Sequence, residues 1–139
     1  MNSNTFRLMF EIEDLPKTTN AMVSMHWRAK GEYVRAWHHS VFVAVGRSKP
    51  RQPLRHAKLT LTRHSSVEPD FDGLVSSFKP LIDALIKCGV IVNDKVSNIG
   101  QSEYHWRKAP PKKGKIQVIV QEVTFPTPIK NQDPMGVPT

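Results

Sequence analysis

Three short stretches of the chain, far apart in sequence, alternate apolar and polar residues. Phe6-Arg7-Leu8-Met9-Phe10-Glu11-Ile12 does so except at Met9, Ala57, Leu59 and Leu61 interleave with Lys58, Thr60 and Thr62, and Ile116, Val118 and Val120 interleave with Lys115, Gln117, Ile119 and Gln121. Successive side chains of a strand point to opposite faces, so this period marks half-buried β-strands. The residues between them follow a different rhythm. Tyr33, Val34, Trp37, Val41, Phe42 and Val45 recur at helical spacing up to a capping Gly46, which predicts a helix over Glu32 to Val45. Phe78, Leu81, Ile82, Leu85 and Ile86 do the same before Gly89, with Pro80 tolerated in the first turn and Ser76 or Ser77 as N-cap.

The remaining segments are read by their punctuation. Leu15 to Gly31, with Pro16 and a Thr18-Thr19-Asn20 cluster, reads as a loop carrying His26, Trp27, Arg28 and Lys30. Gly46 to Pro53 is a basic, proline-bearing loop, Val90-Ile91-Val92 a brief buried strand closed by an Asn93-Asp94 turn, and Val96 to Trp106 a further strand of poor alternation. Pro110 to Gly114 is a turn. From Thr124 to Thr139 four of sixteen residues are proline, the composition of a disordered tail. The expected fold class is α+β: a single domain over residues 1–123, with a small mixed sheet of unresolved strand order and two main helices, in the order β-α-β-α-β-β.

With 139 residues, 39% of them hydrophobic, the chain can build one modest core, which excludes a two-domain enzyme. The single cysteine, Cys88, makes neither an internal disulfide nor a paired-cysteine zinc site, so a reducing cytoplasm is the expected setting. No apolar run approaches the roughly 18 residues of a membrane span, and the charged N-terminal stretch does not read as a secretion signal.

Twenty Lys and Arg against twelve Asp and Glu give a net charge of +8, which suits a polyanion such as nucleic acid. The charge is unevenly spread. Glu68, Asp70, Asp72, Asp83 and Asp94 stand against only Lys79 and Lys87 in one segment, a net −3 that leaves +11 on the rest of the +8 chain. A negative patch inside a basic protein suits metal-dependent phosphodiester cleavage, with bases to hold phosphates and carboxylates to hold a cation. It equally suits a basic DNA- or RNA-binding domain whose acids cap helices and turns.

In an extended backbone Asp70 and Asp72 point to the same side and reach one hard cation, and two or three carboxylates plus a substrate phosphate satisfy Mg²⁺. Asp94 comes from a second chain segment as the third carboxylate. Lys79 and Asp83, four apart, share a helix face, as an ordinary ion pair or with Lys79 free to meet phosphate charge. Arg47, Lys49, Arg51 and Arg55, and Arg107, Lys108, Lys112, Lys113 and Lys115, are candidate phosphate contacts or solvated surface. His38-His39 lacks an acid or cysteine at ligand spacing and reads as helix surface, Trp37 as core, and Trp27 as a residue to stack on an unpaired base or to abut the site.

The order Asp70-x-Asp72, Lys79-x-x-x-Asp83-Ala84-Leu85, Gly89-Val90-x-Val92-Asn93-Asp94 resembles the RusA family of Holliday-junction resolvases, small dimeric endonucleases often carried by phages. Asn20 and Trp27-Arg28 are similar to a family stretch between the first strand and first helix. The likeness spans about residues 6 to 123 and is specific only from Asp70 to Asp94. It implies that Asp70, Asp72 and Asp94 bind Mg²⁺ (or Mn²⁺), that Lys79 is needed for cleavage, and that a homodimer resolves four-way junctions by paired symmetric nicks in DNA recombination and repair. Arg28, Lys30, Arg47, Lys49, Arg51, Arg107, Lys108, Lys112 and Lys113 are then the expected DNA contacts. The chain departs from the pattern where Gly73 replaces an asparagine, where Leu74 to Phe78 lengthens the spacing before the lysine, and where Asn93 replaces an acid. The alternatives are a non-catalytic nucleic-acid-binding protein and a nuclease for flaps or forks.

Overall fold

A computed structural model describes residues 5–18 and 25–124. The expected tail and Asn20 lie outside the described residues, apart from Thr124.

All three alternating stretches are strands of one four-stranded mixed sheet in the order β1-β4-β2-β3. Strand β1 (Arg7–Ile12) pairs antiparallel with β4 (Lys115–Glu122), which pairs antiparallel with β2 (Ala57–Ser65). The edge strand β3 (Glu103–Lys108) runs parallel to β2. Leu8 lies beside Val120, which lies beside Leu59; Phe10, Val118 and Leu61 form the next row. These six side chains are buried on one face, as their parity demands. The opposite face carries residues such as Arg7, Met9 and Glu11, which are exposed.

Helix α1 (Trp27–Val45) covers the apolar side through Trp37, Val41 and Val45, a buried stripe at intervals of four. Gly46 ends it at φ 53°, a conformation glycine adopts without a Cβ penalty, and its N–H donates to the Phe42 carbonyl. The helix starts five residues before the predicted Glu32. His26 caps it, its ring Nδ1 accepting from the Arg28 N–H at 3.2 Å, so Trp27, Arg28 and Lys30 stand on its first turn and not on a loop. Gly31 is carried within the helix, where it weakens propensity without breaking the turn.

The parallel β2-to-β3 crossover holds three helices where one was predicted. Helix α2 (Phe71–Ser77) was not foreseen, α3 (Lys79–Lys87) carries the expected apolar stripe, and α4 (Val96–Ile99) takes the first four residues of the segment read as a strand. Neither Ser76 nor Ser77 caps α3: Ser77 is fully buried and its hydroxyl donates back to the Leu74 carbonyl at 2.8 Å, while Phe78 holds the N-cap position without a side-chain bond. Phe78 is buried with its ring 6.0 Å from that of Tyr104, which ties the α2–α3 corner to β3. Helix α3 packs on α1 and ends at Gly89, φ 85°. Val90-Ile91-Val92 contributes one isolated bridge rather than a strand, Val90 and Val92 bonding the backbone of Leu54 at 2.9 Å each.

Candidate active site

Because β2 and β3 are parallel, the crossover leaves from the carboxyl end of β2, where open α/β sheets commonly place their ligand clefts. That end is fixed by Ser65, which is buried: its hydroxyl donates to the Val67 carbonyl at 2.8 Å and accepts from the Trp106 indole N–H at 2.9 Å, while its carbonyl takes the Ala109 N–H at 3.0 Å. The chain so anchored passes Pro69 and enters α2.

Asp70 is the N-cap of α2. Its backbone is extended (φ −72°, ψ 167°), its Oδ1 accepts the Gly73 N–H at 2.8 Å, and Asp72 stands in the first turn. The two carboxylates are therefore not brought together by strand alternation, as their spacing suggested, but by a helix entrance, where aligned peptide dipoles favour negative charge. Both line an open cleft of about 630 Å³ together with Thr18, Arg63, Val67, Pro69 and Gly73. Gly73 fits this corner for a steric reason: a Cβ there would stand 2.6 Å from Asp70 Oδ1.

Lys79 and Asp94 lie at the other end of α2. Lys79 Nζ donates to Asp94 Oδ2 at 2.7 Å and to Asp83 Oδ1 at 3.0 Å. Asp94 is set by its own turn, its N–H donating to Asn93 Oδ1 at 2.8 Å. The bond from Asp94, and then that from Asp83, pushes the Lys79 ammonium above its ordinary pKa, and the Lys79 bond pushes the Asp94 carboxyl below its own. These residues border a smaller recess of about 320 Å³ lined by Val75, Ile82, Ile99 and Tyr104 among others. Seven helical residues at 1.5 Å each make α2 about 10 Å long, so Asp70 and Asp72 sit at one end of a short rod and the recess at the other. Among the described residues no three His, Cys, Asp or Glu side chains gather as a metal-holding group. The Asp70–Asp72 pair is nevertheless a hard oxygen donor set on an open cleft, which suits Mg²⁺, an ion commonly held by one or two carboxylates with waters and substrate phosphate. Asp94 does not join the pair; its charge meets Lys79.

The expected DNA contacts fall in three places. Arg107 and Lys108 close β3 and are exposed, and Lys108 Nζ donates to the Ser66 carbonyl at 2.7 Å, which puts Lys108 against the segment that leads to Asp70; Lys112 and Lys113 follow in the turn before β4. Arg28 lies 5.1 Å from the exposed Trp27 ring at the start of α1, and Lys30 follows it. Arg47, Lys49 and Arg51 follow the far end of that nineteen-residue helix, about 28 Å away at 1.5 Å per residue. Trp37 is core, as expected. Trp106, half-buried, serves the Ser65 anchor, and Cys88, at the end of α3, is half-buried with its thiol pKa raised by burial.

Sequence reasoning missed Arg63. It continues the inward parity of Ala57, Leu59 and Leu61 on β2, and an arginine on the apolar phase of a strand is the signal that marks it. Its Nη1 donates to the Pro16 carbonyl at 2.6 Å, and burial lowers its pKa.

No protein-family model and no curated protein matches the chain. Among the described residues no helix is long and apolar enough to cross a membrane.

Proposed function

We propose that this chain is a Mg²⁺-dependent endonuclease that cuts branched DNA, four-way junctions above all. One observation carries the reading: Asp70 and Asp72 share an open cleft at the carboxyl end of β2, beside a basic group at the end of β3. The RusA-like order of Asp70, Asp72, Lys79 and Asp94 supplies the substrate class. Asp70 and Asp72 would hold Mg²⁺, whose chemistry there would be to polarise the phosphate and lower the pKa of a water.

The chain's own groups do the rest. Asp70 is held in place by the Gly73 N–H, which fixes one carboxylate oxygen and leaves the other for the cleft. Lys79, an exposed ammonium bonded to Asp83 and Asp94 at the other end of α2, is the group that the RusA-like order assigns to the negative charge developing on the phosphate. Arg107, Lys108, Lys112 and Lys113 hold flanking phosphates. In hydrolysis a water oxygen forms a bond to phosphorus, the bond to the leaving sugar oxygen breaks, and that oxygen takes up a proton. Two opposed nicks require two such sites, so the active form is a homodimer.

A non-catalytic, nucleic-acid-binding reading is favoured by a different observation: Asp70 caps a helix and Asp94 is neutralised by Lys79, structural roles that need no metal. Asp70→Asn separates the two. The nuclease reading expects cutting to be lost while junction binding is kept or tightened, because asparagine retains the cap and removes a negative charge. A folded variant that loses binding contradicts it.

A further inference from the structure

We propose that Arg63 is a substrate-contacting residue of the aspartate cleft, its guanidinium binding the non-bridging oxygens of the phosphodiester that Asp70 and Asp72 serve. This rests on the nuclease reading and goes beyond it, because Arg63 lies outside Asp70 to Asp94, where the resemblance is specific.

Position comes first. Arg63 lines the same cleft as both aspartates, yet it projects from the inward parity of β2, the phase that Leu59 and Leu61 spend on the core. A cation set there has left part of its hydration behind, and a buried charge is costly unless something answers it. Nothing charged does so among the described residues: Arg63 makes no ion pair there, its Nη1 meets only the neutral Pro16 carbonyl, and its Nε is enclosed without a partner. The aspartates that share the cleft are not paired with it either.

The donor count then decides what the group can do. A guanidinium has five N–H donors in a planar fork. Here Nη1 spends one on Pro16, which ties the fork to the segment carrying Thr18, and among the described residues the enclosed Nε has no acceptor. Among those residues the second Nη1 donor and the two on Nη2 are likewise left over. A phosphodiester offers two non-bridging oxygens carrying one negative charge, and the fork matches that geometry as an ammonium does not. It also restores the missing counter-charge. Asp70, Asp72 and the Arg63 guanidinium line one cleft, where the aspartates would hold Mg²⁺ and Arg63 would bind the phosphate directly. Charge growing on the phosphoryl oxygens in the transition state strengthens that direct contact, so it contributes to rate more than to binding.

The test uses the full chain, an end-labelled four-way junction and three proteins: wild type, Arg63→Lys and Arg63→Met, each checked for folding by its thermal melt. Single-turnover cleavage in Mg²⁺ is expected to fall about 100-fold in Arg63→Met, the scale of losing one preorganised donor group, and about 10-fold in Arg63→Lys. Junction affinity in Ca²⁺ across a salt series supplies the readout that a structural tether does not move. The slope of log affinity against log salt is expected to drop by about 1 in Arg63→Met and to be restored in Arg63→Lys, which keeps the charge. A folded Arg63→Met that cuts at the wild-type rate overturns the assignment. So does a loss of rate that tracks a lower melting temperature with an unchanged salt slope, which reduces Arg63 to a tether for Pro16. A wild-type protein that cuts no branched DNA sinks the nuclease reading itself, an outcome distinct from both.

Discussion

Replacing Gly73 with alanine separates the stability of the site from its chemistry. Gly73 is the third helical residue of α2 and is buried, with no left-handed backbone to forbid a side chain. Alanine there gains about 0.8–1.0 kcal/mol in helix propensity over glycine. The new Cβ, however, lies 2.6 Å from Asp70 Oδ1, too close for any real contact, and 3.4 Å from Thr18 Cγ2, which is ordinary. The carboxylate is the end of a short side chain, so it rotates away and gives up its bond to the Gly73 N–H. Losing an N-cap costs about 0.5–2 kcal/mol. The two effects oppose each other, and net stability moves by no more than about 1 kcal/mol, or about 4 °C in melting temperature. Activity has no such compensation. A displacement of about 1 Å at a reacting centre costs on the order of 100-fold in rate. On the proposed nuclease function, melting curves beside single-turnover cleavage of a four-way junction are therefore expected to show a nearly unchanged protein that cuts about 100-fold more slowly. A Gly73→Ala protein that keeps its rate within threefold would show that the capped position of Asp70 is not what the site uses, and a fall of 10 °C or more would refute the energetic balance.

Two further outcomes follow from the same geometry. Leu61, fully buried beside Val118, is expected to cost about 2–5 kcal/mol as Leu61→Ala, seen as a lower urea midpoint with an unchanged slope. Lys79→Met removes ion pairs at partly exposed acids, so stability at neutral pH is expected to change by less than about 1 kcal/mol while cleavage falls. The pH dependence has a definite sign. Asp94 is depressed below its ordinary 3.8 and Lys79 raised above its ordinary 10.5, so their mutual stabilisation is present between those values, lost as pH falls through the Asp94 folded pKa and lost as it rises through that of Lys79. An NMR titration in Lys79→Met is expected to show Asp94 moving up towards 3.8; an unmoved Asp94 contradicts the pairing.

The strands that bury one face could be read from the chain because a two-residue period leaves no other way to hide Leu59 and Leu61 or Val118 and Val120. Helix α1 was legible in its apolar stripe but not at its start, because His26 caps through a ring nitrogen and lies outside the usual capping residues, and Gly31 looks like a terminator. Helix α2 was hidden by its own function as a connector: Asp70, Gly73, Ser76 and Ser77 are turn formers by composition, and it takes Phe78 packed on Tyr104 to hold the corner. The same held for the site. The Lys79–Asp83 pair follows from helical spacing alone. The Lys79–Asp94 bond spans fifteen residues and depends on how the turn at Asn93 folds back, which no local pattern encodes. Arg63 was in plain view by parity, and only the placement of the cleft gave that parity a meaning.

The proposed function makes the Asp70–Asp72 cleft catalytic and metal-dependent. Cleavage of an end-labelled four-way junction, beside a linear duplex of the same sequence, with and without Mg²⁺ and with Asp72→Asn as control, tests it most directly. The expected result is paired symmetric nicks in the junction alone, absent without metal and absent in Asp72→Asn; tight, metal-independent binding without any cutting by the folded wild-type protein would contradict it.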